Sequence, residues 1–174
     1  MRPVRYGVAM SLDGYIAGPK GEYDWIVMDP DIDFGAMMGR YDTVLVGRKT
    51  WETMRAQGEA GQPRGVELVV FSRTLVASEH PGVRIVSRDA GEAVRALKRE
   101  PGKEIALFGG GELFRSLLGE GVVDTVEVGV VPVLLGGGIP LLPSPAPRAT
   151  LKLTSRREYP KTGTVLLEYA VAKA

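Results

Sequence analysis

The stretch IALFGGGELF, residues 105–114, decides the architecture: four apolar residues, three glycines, then an acidic residue that opens a new apolar stripe. Ile105 to Phe108 reads as a buried strand because the run is short, apolar and bounded by small or polar residues. Leu113, Phe114, Leu117 and Leu118 recur at three- and four-residue spacing, the signature of one helix face. A strand that passes through glycine directly into a helix is the junction of a parallel α/β sheet.

The same pattern recurs upstream. Thr43 to Val46 runs into Gly47-Arg48-Lys49-Thr50, Glu67 to Phe71 into Ser72-Arg73-Thr74, and Val4 to Met10 into Ser11-Leu12-Asp13-Gly14. Ahead of Thr43, Asp29-Pro30 predicts a helix cap followed by proline at the first helical position, with Phe34, Met37 and Met38 at helical spacing. Asp89 with Glu92 predicts a capping box. Ala90, Ala93, Val94 and Leu97 supply an apolar face, Lys98 and Arg99 a basic carboxyl end, and Pro101-Gly102 a stop.

Strands alternating with helices imply right-handed crossovers and a largely parallel sheet. The end of the chain differs. Leu151 and Leu153, then Val165, Leu167, Tyr169 and Val171, alternate with period two around Pro160-Lys161-Thr162-Gly163, which predicts a terminal antiparallel hairpin and a mixed sheet. No linker or repeat interrupts residues 1–174, so we expect one domain. Residues 130–142 carry too much glycine and proline for a helix, and their apolar side chains call for cover, from the fold itself or from a second subunit.

Charge and composition exclude several function classes. With 22 basic and 21 acidic side chains the net charge is +1, so no global field favours nucleic acid or an anionic membrane. Cysteine is absent and the single histidine, His80, precedes Pro81-Gly82 in a turn, so no metal site is expected. No run reaches the roughly 20 apolar residues of a membrane span. A cytoplasmic location follows as the expectation.

In an open parallel sheet, ligands bind beyond the carboxyl ends of the strands, where neighbouring loops converge. Here those ends hold glycines and cations. Side-chain-free residues at a positive helix terminus admit a diphosphate, and Arg48, Lys49 and Arg73 on adjacent loops suit a further phosphate, with Thr50 and Ser72 as hydroxyl donors. A phosphorylated dinucleotide, NADPH, fits that arrangement.

These residues also carry a resemblance. VLVGRKTWE at 44–52 and LFGGGELF at 107–114 resemble the two cofactor-binding motifs of dihydrofolate reductases. AMSLDGYIAG at 9–18, DW at 24–25, GVVDTVE at 121–127 and VPVLLGGGIPLL at 131–142 resemble the RibD C-terminal domain and its small stand-alone relatives. The resemblance implies a dihydrofolate-reductase-like three-layer α/β/α fold, NADPH as hydride donor, and a homodimer in which the late glycine-containing segment takes part. It places Gly47, Arg48, Lys49 and Thr50 on the cofactor, Ser72 and Arg73 near its adenosine end, and Phe108, Gly109, Gly110, Gly111, Glu112, Leu113 and Phe114 along the diphosphate and nicotinamide side. The stretch Gln62-Pro63-Arg64-Gly65 departs from the substrate-loop residues that the resemblance to riboflavin reductases implies.

Hydride transfer needs the nicotinamide held against an electrophilic carbon and a proton supplied beside it. Asp13, on the loop after the first strand, is the first candidate donor; Asp33 and Asp31, at the start of the expected helix, are its rivals. Ser11 and Trp25 are expected to line the substrate pocket. The activity implied is reduction of a small heterocyclic substrate, the riboflavin intermediate 5-amino-6-(5-phosphoribosylamino)uracil or a pteridine-like compound. A dihydrofolate reductase proper, and a non-catalytic protein that binds NADPH or a flavin, are the alternatives.

Overall fold

Alternation along the strands sends apolar side chains to both faces of one sheet, which is why the central runs read as continuously apolar. The computed structural model describes residues 1–56 and 65–172. Of the expected substrate loop only Gly65 belongs to them; Gln62, Pro63 and Arg64 lie outside the described residues.

In chain order the elements are β1 (Val4–Ser11), β2 (Tyr15–Ala17), α1 (Phe34–Met38), β3 (Tyr41–Gly47), α2 (Arg48–Ala56) and β4 (Glu67–Phe71). A short 3-10 turn at Ala77–Glu79 leads to β5 (Arg84–Val86), α3 (Ala90–Arg99), β6 (Glu104–Leu107) and α4 (Gly111–Gly119). The chain closes with β7 (Thr125–Val131), β8 (Ile139–Pro140), β9 (Leu151–Tyr159) and β10 (Thr164–Val171).

Eight strands form one sheet in the order β5-β4-β3-β6-β1-β7-β10-β9. From β5 to β7 every neighbouring pair is parallel, while β10 runs antiparallel to both β7 and β9. The expected mixed, mostly parallel sheet with a terminal hairpin is therefore present, with helices against it.

Two apolar cores sit on opposite faces. Val4, Tyr6, Leu45, Val69, Ile105 and Leu107 meet Val94 and Leu97 of α3 and Phe114 and Leu117 of α4. Val44, Val46, Leu68, Val70 and Ala106 meet Trp51 of α2. Adjacent positions such as Leu45 and Val46 fall into different cores, as the two-residue strand period requires.

The helix starts differ from their sequence reading. Asp29 does not cap α1. The helix begins at Phe34, and Asp33 caps it by accepting the Ala36 N–H at 2.8 Å. Asp29 is instead buried and bound to the hairpin turn, where it accepts the Thr162 N–H and hydroxyl at 3.0 Å each. Nor do Asp89 and Glu92 form a capping box. Asp89 sits left-handed at φ 49° with no side-chain bond to the helix, while Glu92 faces Arg95 and Arg99 one and two turns on. Lys98 stands in the last turn of α3 as expected, and there it is buried and paired with Asp124 just before the start of β7.

The glycine- and proline-rich segment after β7 folds back as a strap. Its strand β8 pairs antiparallel with β2 in a separate two-stranded sheet, and Leu141 and Leu142 pack on the larger core. The fold itself thus covers part of the apolar run, while Leu134 stays 69% exposed.

Candidate active site

The β3–α2 and β6–α4 junctions abut at the carboxyl edge of the sheet. Phe108 donates its N–H to Leu45 O at 2.9 Å, and Gly47 reaches Gly109 O at 3.4 Å. A Cβ built on Gly110 would stand 3.5 Å from Thr50 Oγ1, and one on Gly47 would stand 3.9 Å from Leu113 Cβ. Gly47, Thr50, Gly109, Gly110 and Leu113 are thereby brought together from two motifs more than 50 residues apart in the chain, as their loops lie on neighbouring strands.

The three glycines do different work. Gly109 has φ +67° and open space where a side chain would be, so its backbone is accessible and its conformation suits glycine. Gly110 stands at the N-cap of α4 without any side-chain cap, which leaves the amino end of the helix to other acceptors. Gly111 is a packing residue: a Cβ there would come within 2.8 Å of Pro140 O and the Pro143 ring. Its lack of a side chain lets the strap press against the first turn of α4.

Side chains further along α4 divide in the same way. Phe114 is buried and stacks on Tyr6 with ring centroids 3.9 Å apart, so its ring belongs to the core. Glu112 is exposed and pairs with Arg115. Phe108 is half-buried against the core on the α2 face.

The cationic side of the site lies where β3 and β4 end. Arg48 opens α2 and donates from Nη1 to Thr74 Oγ1 at 2.9 Å. Lys49 and Arg73 are exposed and have no carboxylate partner among the described residues. Ser72 is buried, and its Oγ accepts the Thr74 and Leu75 N–H groups at 3.2 and 3.1 Å, so the hydroxyl serves the turn that presents its neighbours. Thr74, which accepts from Arg48, was not singled out in the sequence reading; the hydroxyl two positions beyond Ser72 was the available signal.

The three candidate acids lie apart, each committed to donors of its own. Asp13 accepts the Ser11 hydroxyl at 2.7 Å, the Leu135 N–H at 3.1 Å and the Gly136 N–H at 2.7 Å. The Ser11 bond, aided by the strap amides against a desolvation that pushes the other way, holds the Asp13 carboxyl below its ordinary range. Asp31 pairs with Lys161 at 2.7 Å, and Asp33 caps α1. Ser11 is fully buried and also accepts the Tyr15 N–H at 2.9 Å. Trp25, half-buried, donates Nε1–H to Glu22 O at 3.2 Å.

On the face of β1 that carries Arg5, the sheet floor is small: Gly7 pairs with Glu127 and Ala9 with Gly129, and a Cβ on Gly7 would meet nothing within 4 Å. On the same face, toward the start of β1, Arg5, 8% exposed, binds Glu104, Glu127 and Glu168 at 2.9, 3.0 and 3.1 Å. The described residues hold no group of three or more histidine, cysteine or acidic side chains suited to a metal ion, and no helix among them is long and apolar enough to cross a membrane.

Comparison with known proteins is consistent from sequence to fold. The family model described as RibD C-terminal domain matches residues 2–165. Uncharacterized protein YyaP of Bacillus subtilis (strain 168) is 33% identical over 97% of this chain and 94% of its own. Among solved structures, a protein assigned to riboflavin biosynthesis from Shewanella sp. PV-4 superposes with a TM-score of 0.81 at 24% identity, covering 99% of this chain and 100% of that one. The diaminohydroxyphosphoribosylaminopyrimidine deaminase/5-amino-6-(5-phosphoribosylamino)uracil reductase of Thermotoga maritima gives 0.75 at 20% identity, covering 98% of this chain and 57% of that longer one.

Proposed function

The chain belongs to the RibD C-terminal domain family, and from that premise we propose that it is an NADPH-dependent reductase of the 5-amino-6-(5-phosphoribosylamino)uracil reductase type. The abutment of two junctions at Gly47 and Gly109, with Thr50 facing Gly110 and cations on the next loop, carries this reading. Open space over Gly109 and an α4 terminus without a side-chain cap fit a diphosphate.

Gly47, Thr50, Gly109 and Gly110 would hold the diphosphate. Arg48 and Thr74, with Lys49 and Arg73 beside them, would take the phosphate on the adenosine ribose. Bound there, NADPH supplies a hydride. The chain supplies orientation: the small floor at Gly7, Ala9 and Gly129 leaves room for a flat heterocycle, and Ser11 with Asp13 orders the loop beside it. If the Asp13 carboxyl also passes a proton, turnover rises as pH falls toward the carboxylate range, because its pKa is lowered.

A cytoplasmic homodimer is the accompanying proposal. Leu151 and Leu153 are exposed at the start of β9, a nine-residue strand at the edge of the sheet, and the open backbone groups of an edge strand form a pairing surface unless covered. Light scattering on the purified chain checks it.

The decisive experiment is titration with NADPH and NADH, followed by an NADPH-oxidation assay with the pyrimidine ribosyl phosphate and with dihydrofolate. Selective NADPH binding with turnover of the pyrimidine supports the reading. Turnover of dihydrofolate alone moves the chain to the dihydrofolate reductases. Binding of neither nucleotide overturns the assignment.

A further inference from the structure

Arg48 differs from its two cationic neighbours in having an acidic partner. Its Nε lies 3.6 Å from Glu52 Oε1, one turn along α2, while Nη1 donates to Thr74 Oγ1 at 2.9 Å. Two of its three nitrogens are thus engaged without a ligand, whereas Lys49 and Arg73 pair with no carboxylate among the described residues. The Arg48–Glu52 pair is close to half exposed on both sides, so it contributes little to stability.

Such a pair has a direct consequence for an arriving phosphate. A bidentate grip needs two adjacent N–H groups of the guanidinium fork, and one end of the fork faces a fixed negative charge. The carboxylate and a phosphate on the same guanidinium stand within a Debye length of each other, so their repulsion is felt at ordinary salt. Thr74 continues to hold the guanidinium when Glu52 is neutral, so loss of the carboxylate removes the competitor and keeps the orientation.

We propose that Glu52 is a specificity-determining residue that competes with the ribose phosphate for Arg48 and so limits the preference for NADPH over NADH. This rests on the cofactor reading above. Its effect is confined to a ligand with that additional phosphate, since NADH brings no anion to Arg48. A residue that merely supported α2 would alter both nucleotides alike.

The test is the affinity of wild type, Glu52→Gln and Glu52→Asp for NADPH and NADH by calorimetric titration over a salt series. Glu52→Gln is expected to bind NADPH ~3- to 10-fold tighter, as repulsion across a few ångströms of solvent-like medium implies. Its NADH affinity and thermal midpoint stay at the wild-type level, the NADPH gain shrinks as salt rises, and Glu52→Asp stays nearer wild type. Weaker NADPH binding by Glu52→Gln, or an equal shift for both nucleotides, overturns the role of Glu52 while leaving the cofactor reading intact. A wild-type protein that binds neither nucleotide removes the cofactor reading, and Glu52's role falls with it.

Discussion

Asp29 and Thr162 are joined by two hydrogen bonds of 3.0 Å, from the backbone N–H and from the hydroxyl, across a separation of 133 residues. Asp31 N–H adds a third bond to the same carboxylate at 2.9 Å, and Lys161 pairs with Asp31 beside it. The turn of the terminal hairpin therefore holds the approach to α1, the segment that carries Asp31 and Asp33. Thr162→Val keeps the backbone bond and loses one; Asp29→Ala strands all three donors. Amide exchange in residues 29–39 is expected to accelerate modestly in the first variant and strongly in the second, with β3 unchanged.

The carboxylates of Asp29 and Asp13 make the stability of the fold acid-sensitive. Burial pushes the Asp29 carboxyl up, but the bonds from Asp31 and Thr162 outweigh it and its pKa is lowered; that of Asp13 is lowered chiefly by the Ser11 hydroxyl. A carboxylate with a depressed folded-state pKa contributes fully above its unfolded pKa, about 4, and loses the contribution as pH falls through the folded value. Thermal midpoints measured from pH 7 downward are expected to hold until about pH 4 and then drop. Asp13→Asn and Asp29→Asn should each lower the midpoint at pH 7 and flatten the acid limb.

Arg5 sits between three glutamates, and Glu127 is as buried as Arg5 itself. Removing the cation leaves the buried Glu127 carboxylate with Arg40, 3.6 Å away, as its one cationic partner among the described residues. Arg5→Ala is expected to lower unfolding free energy by about 3–5 kcal/mol in a urea titration. Arg95→Ala, which breaks an exposed pair with Glu120, should cost no more than about 1 kcal/mol.

Tyr6 stacks on Phe114 in the core, and its hydroxyl has no hydrogen-bond partner among the described residues. Burial pushes its pKa well up, as nothing there stabilises a phenolate. Tyr6→Phe keeps the ring contact and removes the orphaned group. Stability equal to wild type or higher by up to about 1–2 kcal/mol is expected from denaturant unfolding; a loss of that size would show that the hydroxyl is bonded in solution.

Arg48→Ala tests the cofactor assignment from the cation's side. Affinity for NADPH is expected to fall at least tenfold while NADH changes little, roughly the worth of one charge-assisted contact. Equal losses for the two nucleotides would remove Arg48 from the ribose phosphate.

Strand identities were legible in the sequence because they are local. Four of the six parallel strands follow from short apolar runs, and the expected Glu67–Phe71 matches β4 residue for residue; β5, three residues long and half-buried, has too little periodicity to read. The hairpin was equally legible, since its alternation and turn residues lie side by side. Motif order likewise pointed to the family, because the glycines and cations of each junction are neighbours in the chain.

Tertiary structure alone decided what those residues touch. Asp29 beside Pro30 satisfies every local rule for a cap, yet the better partner is Thr162, brought near by the fold, and Asp33 takes the helix instead. Asp13 read as a candidate proton donor on its local sequence, and the fold adds two strap amides to the Ser11 hydroxyl that chiefly lowers its pKa. Gly111 reads like Gly109 in a run of three, but Pro140 and Pro143 press on one and open space faces the other. Propensity and periodicity are set by neighbours within a few residues, so the sequence by itself determined the elements and their junctions. Partners such as Thr162 for Asp29 and the Leu135 and Gly136 amides for Asp13 lie more than a hundred residues away, and only the folded sheet brings them within reach.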